Sequence, residues 1–268
     1  MTTATTGLTY NLYVTQIATM AILQQTLVTT GTSPNSLVTS SDPNFTNIIP
    51  QMLNYAELRI QRDLDFLATQ NAQTFSVVAT STNQLTIPTQ SFVTLQTITV
   101  TDPNGGITTL TPVTKSFLQN VYGSSASADT PQYFAVYGGD QATGGQTSQY
   151  VQFGPWTPST GTYTFSVTGT TRQPTLYNYA TATGNAADTT YTFISQNLPD
   201  MLLMASMIYL SAYQRNFGRQ ADDPQMAQSY ESQYDMLLKG ATVEEARKKF
   251  QAGGWTSYSP AVVATPSR

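Results

Sequence analysis

Cysteine and histidine are both absent from the 268 residues of the chain. Without cysteine the protein has no disulfide bonds and no thiolate nucleophile, and without histidine it has no Ser-His or Cys-His dyad. Two of the side chains that most often bind transition metals are therefore missing. We predict a protein with no catalytic residues, no metal site and no cofactor, whose fold depends on burial and assembly.

Charged side chains are scarce as well, at 10% of the residues against 40% hydrophobic ones, and the formal net charge is −4. A basic nucleic-acid-binding protein needs clustered Lys and Arg, and an acidic disordered tail needs runs of Asp and Glu. The composition favours neither class. We expect partner recognition to depend on shape and on uncharged contacts.

Signals for export and membrane insertion are missing too. No Lys or Arg precedes Arg59, so the apolar stretch from Leu12 to Leu23 lacks the basic start of a secretory signal. The apolar run from Leu198 to Tyr213 is shorter than the roughly 20 residues that a bilayer requires. We expect a soluble, unprocessed chain that does not span a membrane.

Threonine is common in most of the chain but is absent between Thr46 and Thr69 and between Thr192 and Thr242. A β-branched side chain with a competing hydroxyl favours strands over helices. The two threonine-free windows are therefore predicted to be the helical parts of the protein.

The first window carries an apolar stripe at spacings of three and four residues, which predicts an amphipathic helix. Asp42 and Pro43 are suited to its N-cap and first turn. The stripe consists of Phe45, Ile48, Ile49, Met52, Ala56, Ile60, Leu64 and Leu67. Upstream, Tyr10–Gln25 is predicted to be either a helix or an ordered arm on a neighbouring subunit, and residues 29–44 are predicted to be a loop.

The second window predicts two helices. The first follows a cap at Ser195 or Asn197, ends near Gly218, and is apolar nearly all round, so it should be buried against several neighbours. The next begins at residues 222–225 and extends toward Lys249, with Gly240 as a point where it could be interrupted or kinked.

Between the helical windows, period-two patterning and turn residues predict strands and one short helix at 114–122. The strand segments are 74–80, 83–88, 92–101, 107–113, 129–139, 148–155 and 161–170. The predicted fold class is α+β, an antiparallel helical bundle with an inserted small β-sandwich or barrel. The predicted domains are 1–70, an N-terminal arm and core helix; 71–193, the β insertion; 194–250, the C-terminal helices; and 251–268, a C-terminal tail.

Several motifs, taken in order, resemble one protein family. They are "IPQMLNYAELRIQRDL", then "TPQYFAVYGG" with "YVQFGPWTPSTGTYTFSVTGTTRQPTL", then "NLPDMLLMASMIYLSAYQRN" with "DDPQMAQSYESQYDMLL". Their order and spacing over about three quarters of the chain resemble the head-to-tail adaptor family, also called head-completion or tail tubular proteins, of tailed bacteriophages.

That resemblance implies a ring, usually of twelve copies, beneath the portal protein at the head-tail junction of the virion. Helices form the ring wall, the β insertion decorates it, and the ring extends the DNA channel. The implied partners are the portal protein, a downstream nozzle or tail-tube protein and tail fibres. Double-stranded DNA is expected to pass through the lumen without specific binding.

The stretch "AELRIQRDL", Ala56–Leu64, carries four charges in nine residues. One interpretation is a solvated face with intrahelical partners: Glu57 with Gln61, Arg59 with Asp63, and Arg62 with Asp65 or Phe66. The other is a contact between subunits that sets the register of the ring. Because charge is scarce elsewhere, we predict that the ring-assembly residues are Glu57, Arg59, Arg62 and Asp63.

The stretch "VEEARKKFQAGGWTSYSPAVVATPSR" also has two interpretations. It could be a helix end with favourable dipole charges, followed by a frayed tail. Alternatively it is a docking segment, since aromatic and aliphatic anchors are unusual in a frayed tail. In agreement with the family's role for this end, we predict portal docking by Arg247, Lys248, Lys249, Phe250, Trp255, Tyr258, Val262 and Val263.

Two other classes of function remain as alternatives. A fibre-like or glycan-binding β protein would expose the aromatics of the β region, namely Tyr133, Phe134, Tyr150, Phe153, Trp156, Tyr163 and Phe165; alternating aromatics in strands usually form a core. A cell-wall hydrolase would need two carboxylates facing each other in a cleft. The acidic pairs are Asp63/Asp65, Asp222/Asp223 and Glu244/Glu245.

Overall fold

A computed structural model describes residues 7–32, 35–78, 81–88, 92–125, 128–142, 146–182, 186–187, 189–216 and 224–251. Helices and strands both contribute substantially, which confirms the α+β class. The helices are α1 (Tyr10–Met20), α2 (Pro43–Asp63), α3 (Lys115–Tyr122), α4 (Leu176–Thr181), α5 (Phe193–Asn197), α6 (Pro199–Asn216) and α7 (Pro224–Gln251). The strands are β1 (Leu27–Thr30), β2 (Leu37–Ser40), β3 (Gln70–Val78), β4 (Gln84–Ile87), β5 (Thr94–Thr101), β6 (Ile107–Thr109), β7 (Thr111–Pro112), β8 (Tyr133–Ala142), β9 (Gln146–Gly154) and β10 (Thr162–Thr170).

The described residues form two compact units. The helical unit contains the chain up to Leu67 and from Gln173 onward, and the β unit is the continuous stretch Ala68–Arg172. Residues 173–192, which include α4, belong with the helices.

Helix α6 is the centre of the helical unit, where it packs against α1, α2, α5 and α7. Its described side chains are buried or half-buried almost throughout, as its all-round apolar sequence predicts. Fully or nearly fully buried members are Met201, Leu202, Ala205, Met207 and Leu210.

Helix α2 confirms the predicted amphipathic helix. The Asp42 side chain accepts a hydrogen bond from the Asn44 N–H at 3.0 Å and so caps the first turn. The apolar stripe from Phe45 to Ile60 is buried, and the helix ends at Asp63, where Leu64 becomes extended.

The N-terminal region contains a helix and a hairpin. In α1, Tyr13, Val14 and Ile17 are fully buried, which favours the predicted helix over an arm on another subunit. The predicted loop at 29–44 is wrong, because β1 and β2 pair there as an antiparallel hairpin. The Asn11 amide fixes that hairpin from α1: it donates to the Ser36 carbonyl at 2.8 Å and accepts from the Val38 N–H at 2.8 Å.

Helix α7 runs without interruption through Gly240. The position is exposed, and a Cβ added there would meet no atom within 4 Å. The glycine therefore neither breaks the helix nor fills a crowded site within the described part of the chain.

The β unit is a sandwich of two four-stranded sheets, ordered β3-β10-β5-β6 and β4-β9-β8-β7. All pairings are antiparallel except β7 with β8. Side chains from both sheets share one core, and the rings of Phe153 and Phe165 lie 4.7 Å apart across it. Among the described strands neither sheet closes on itself. Of the two predicted architectures, the sandwich is therefore confirmed and the barrel is wrong.

The chain enters and leaves the β unit at the same place. The Thr171 N–H donates to the Thr69 carbonyl at 2.7 Å, and the Thr171 hydroxyl donates to the same carbonyl at 3.0 Å. The two ends of the insertion are therefore adjacent, as an insertion into a continuous helical core requires.

Candidate assembly site on the helical unit

Arg59, in the "AELRIQRDL" stretch, lies at the centre of a polar contact between α2 and α7. Its guanidinium donates to both carboxylate oxygens of Glu231, at 3.0 Å for the Nη1–Oε2 pair, and lies 3.6 Å from Asp63 on its own helix. It also stacks over the Tyr234 ring, 4.4 Å from the centroid. The Tyr234 hydroxyl in turn donates to Asp63 at 2.8 Å. We call these four residues the Arg59 cluster.

The protonation states in the Arg59 cluster reinforce one another. Hydrogen bonding to Glu231 raises the pKa of Arg59, and the same bonds lower the pKa of Glu231. Burial and the hydrogen bond to Asp63 raise the pKa of Tyr234, so its hydroxyl stays protonated and donating. Because the Glu231 side chain is 42% exposed, we assign the ion pair only about 1 kcal/mol of the free energy of unfolding.

An open groove of about 550 Å³ lies along the outer face of α2 beside the Arg59 cluster. Tyr55 and Tyr209 form one wall, with ring centroids 5.1 Å apart. Arg62 also lines the groove, is exposed, and makes no ion pair with any described residue. We call this the α2–α6 groove; it is lined by Gln51, Asn54, Tyr55, Leu58, Arg59, Arg62, Asp63 and Tyr209.

Glu57 lies on the opposite, buried side of α2 and is 1% exposed. Its carboxyl oxygens accept from the Leu176 N–H at 3.1 and 3.0 Å, at the start of α4, and from the Thr192 hydroxyl at 3.4 Å. Desolvation by burial raises the pKa of Glu57 to about 8. We leave Glu57 out of the proposed ring contact, because a side chain that is 1% exposed cannot reach a neighbouring copy.

Of the three intrahelical pairs considered from the sequence, one is present. Arg59 contacts Asp63, whereas Gln61 exchanges hydrogen bonds with the Gln173 backbone at 3.3 Å and Glu57 contacts α4. Asp65 pairs with Lys249 of α7 instead of Arg62. The other two pairs of that interpretation are absent among the described residues, because tertiary partners outcompete neighbours on the same helix.

The basic residues at the end of α7 contact the helical unit itself. Lys248 pairs with Glu245 at 2.7 Å and Glu244 at 2.8 Å, and Lys249 pairs with Asp65. Glu245 is 3% exposed and also accepts from the Leu67 N–H at 3.1 Å. Arg247 is exposed. The Phe250 side chain and the predicted docking residues Trp255, Tyr258, Val262 and Val263 lie outside the described part of the chain.

Sequence reasoning missed the partners that α7 and α6 supply. Glu231 and Tyr234 stand three residues apart, so they occupy one face of α7 and both reach Arg59. That spacing was a readable signal for a shared face. No sequence signal indicated that the face would meet α2, 172 residues away.

The aromatic side chains and acidic pairs that a glycan-binding protein or a hydrolase would use mostly have structural roles here. Phe134, Phe153, Tyr163 and Phe165 belong to the sandwich core. The carboxylates of Asp63, Asp65, Glu244 and Glu245 each pair with Arg or Lys, and Asp222 and Asp223 lie outside the described residues. Within the described ranges, no three acidic side chains are grouped so that they could hold a metal ion. None of the described helices is long and apolar enough to cross a membrane.

No curated protein is significantly similar in sequence to this chain. The family model of the SU10 adaptor protein, in contrast, matches residues 21–261. The match includes α2, the complete β unit, α6 and α7, and it agrees with the resemblance to phage head-to-tail adaptors. The chain therefore belongs to the SU10 adaptor protein family and has a structural adaptor role in a bacteriophage.

Proposed function

We propose that the protein assembles as a homo-oligomeric ring beneath the portal at the head-tail junction, where it extends the DNA channel and receives the next tail component. The observation that carries this proposal is the family match over residues 21–261. The division into a helical unit and an inserted β-sandwich supports it, since such an adaptor needs a packed wall and a separate surface for further components.

In this proposal the helical unit forms the ring wall, with Arg59, Arg62 and Asp63 near the contact between copies. Arg59 and Asp63 hold α2 and α7 in register within each copy. Arg62 is exposed and has no acidic partner among the described residues, so it is available to a neighbour. The β unit offers a surface to the downstream nozzle or tail-tube protein and to tail fibres.

Docking on the portal is assigned to the end of the chain. Lys248 and Lys249 have acidic partners in the helical unit, so in this proposal they hold the end of α7 in place for docking. Arg247 is exposed at the same end. The aromatic and aliphatic anchors from Trp255 to Val263 then supply the contact by burying their side chains against the portal.

Quantitative mass spectrometry of purified particles tests the proposal by comparing the copy number of this chain with that of the portal protein. A ratio near one is expected for a ring matched to the portal. A clear multiple of the portal's copy number would point to fibres, and trace amounts or absence would remove the protein from the virion; either result contradicts the proposal.

A further inference from the structure

The outer face of α7 is a stripe of exposed residues with no partner in the described part of the chain. Met236 is 73% exposed and Val243 is 52% exposed, seven residues apart and therefore on one side of the helix. Gly240 lies between them over open space. The buried side of α7, with Tyr234 and Glu245, faces the opposite way.

Two charged residues lie on the same exposed face of α7. Asp235 and Lys239 are both exposed, and neither forms an ion pair with a described residue. We call Asp235, Met236, Lys239, Gly240 and Val243 the α7 stripe. It thus presents a free carboxylate beside a flexible thioether, and its glycine permits close approach of a second helix.

The α2–α6 groove has the complementary chemistry. Arg62 supplies a cation without an acidic partner among the described residues, and the exposed Tyr55 ring lines the same groove seven residues earlier on α2. Arginine pairs well with carboxylates, and methionine sulfur packs favourably against aromatic rings.

We propose that the α7 stripe of one copy docks in the α2–α6 groove of the next copy, with Asp235 paired to Arg62 and Met236 packed on Tyr55. The inference rests on the proposed ring, because closure of a ring requires two different, complementary surfaces on every copy. The Asp235–Arg62 pair sets the register, and the apolar stripe supplies the buried area.

Cysteine trapping tests the contact directly, because the chain contains no cysteine of its own. The full-length variants Tyr55→Cys and Met236→Cys are purified separately, mixed at millimolar concentration and oxidised. Even a contact with a dissociation constant of about 1 mM is populated under those conditions. The expected product is a dimer joining one variant to the other, in clear excess over dimers of either variant alone.

The matched control replaces Met236→Cys with Ile107→Cys, which places an equally exposed thiol in the β unit, at 73% exposure in both cases. A yield for Tyr55→Cys with Met236→Cys that does not exceed the yield with Ile107→Cys would overturn the proposal. Circular dichroism of each variant confirms that the helical unit is folded before oxidation.

Charge reversal then tests the register. Arg62→Asp or Asp235→Arg, introduced into the cysteine variants, should lower the yield of the mixed dimer about tenfold, since each juxtaposes like charges. Combining both reversals should restore it. Single reversals without effect, or a combination as poor as the singles, would exclude the Asp235–Arg62 pair.

These results are separable from those on the ring itself. A particle ratio near one without cross-linking would leave the ring proposal intact and refute the assigned surfaces. Cross-linking together with a particle ratio far from one would support the contact and refute the ring beneath the portal.

Discussion

Glu57 shows how strongly burial can change a carboxyl group. It is surrounded by the helical unit, and it receives backbone hydrogen bonds from the start of α4. Those bonds favour the charged form, but desolvation is the larger effect and raises the pKa to about 8. The acid is therefore mostly protonated at neutral pH in the folded protein and mostly ionised in the unfolded chain.

We predict that Glu57 makes the protein less stable as pH rises. The folded pKa is above the unfolded value of 4.5, so the favourable contribution is complete below pH 4.5 and is lost as pH rises toward about 8. The free energy of unfolding should fall by a few kcal/mol over that range, as an order of magnitude. Urea titrations between pH 5 and 9 measure it.

The variant Glu57→Gln keeps an oxygen that can accept from Leu176 and removes the titration. Its free energy of unfolding should lose most of the pH dependence and exceed that of the natural protein at pH 9. Glu244→Gln, at an exposed acid, is the control and should retain the natural profile. A Gln variant whose stability falls with pH as steeply as the natural protein's would contradict this account.

Tyr234 gives a second test at this scale. Its side chain is fully buried, and its hydroxyl donates to Asp63 at 2.8 Å. Tyr234→Phe should lower the free energy of unfolding by about 1–2 kcal/mol, because Asp63 loses a donor in a partly buried site. Tyr230 lies on the same helix and its hydroxyl makes no hydrogen bond to a described residue, so Tyr230→Phe should change stability little. Equal effects of the two changes would show that the hydrogen bond is unimportant.

At the scale of the elements, Gly240 has a clear cost within α7. The residue is helical and exposed, and an added methyl group meets open space. Gly240→Ala should raise the free energy of unfolding of the monomer by about 0.5–1 kcal/mol. Gly240→Pro should lower it by about 3 kcal/mol or more. Thermal unfolding of both variants measures these changes. A Gly240→Ala variant that is less stable than the natural protein would show that the glycine has a structural role within the chain.

Element prediction from the sequence succeeded where the determinants are local. The stripe and cap of α2, the all-round apolar pattern of α6 and the alternation of β10 each lie within one stretch of chain. The β1–β2 hairpin was not predicted, because one of its stabilising contacts is the hydrogen bond that Asn11 donates to the Ser36 carbonyl, 25 residues further along the chain. The six-residue helix α4 was not predicted either, because Glu57 of α2, which is distant in sequence, accepts a hydrogen bond from its first N–H group.

The candidate site follows the same rule. The i to i+4 contact of Arg59 with Asp63 was readable from the sequence, and the burial of Glu57 was not. Glu57 follows Ala56 at the edge of the apolar stripe of α2. Whether such a side chain is buried depends on where α4 and Thr192 lie in space. The partners of Glu57 and Arg59 lie 119 and 172 residues away in sequence, so they can be identified only from the packing of the helices.

At the scale of the whole molecule, the adjacent ends of the β unit predict that it can be removed. Replacement of residues 71–169 by a short Gly/Ser linker should leave the helical unit folded, since Thr69 and Thr171 are in hydrogen-bond contact. Far-UV circular dichroism should show a helical protein with one cooperative thermal transition. Loss of the helical signal would show that the helical unit depends on the sandwich.

Charge across the whole chain predicts weak contact with DNA. A net charge of −4 with 11 basic residues provides few phosphate contacts, so duplex binding should be weaker than about 1 μM at physiological salt. Fluorescence anisotropy with a labelled duplex measures it. A nanomolar, salt-sensitive affinity would contradict passage of DNA without specific recognition.

The position of the β unit within the chain also determines the order of events during synthesis. Helices α1 and α2 leave the ribosome before Ala68–Arg172, whereas α6, which packs against both, and α7, which pairs with α2 through Arg59, follow it. At translation speeds of about 5–20 residues per second, the delay is on the order of ten seconds. For that interval the apolar stripe of α2 has no native partner in α6 or α7 and is accessible to chaperones, while the contiguous sandwich can already fold.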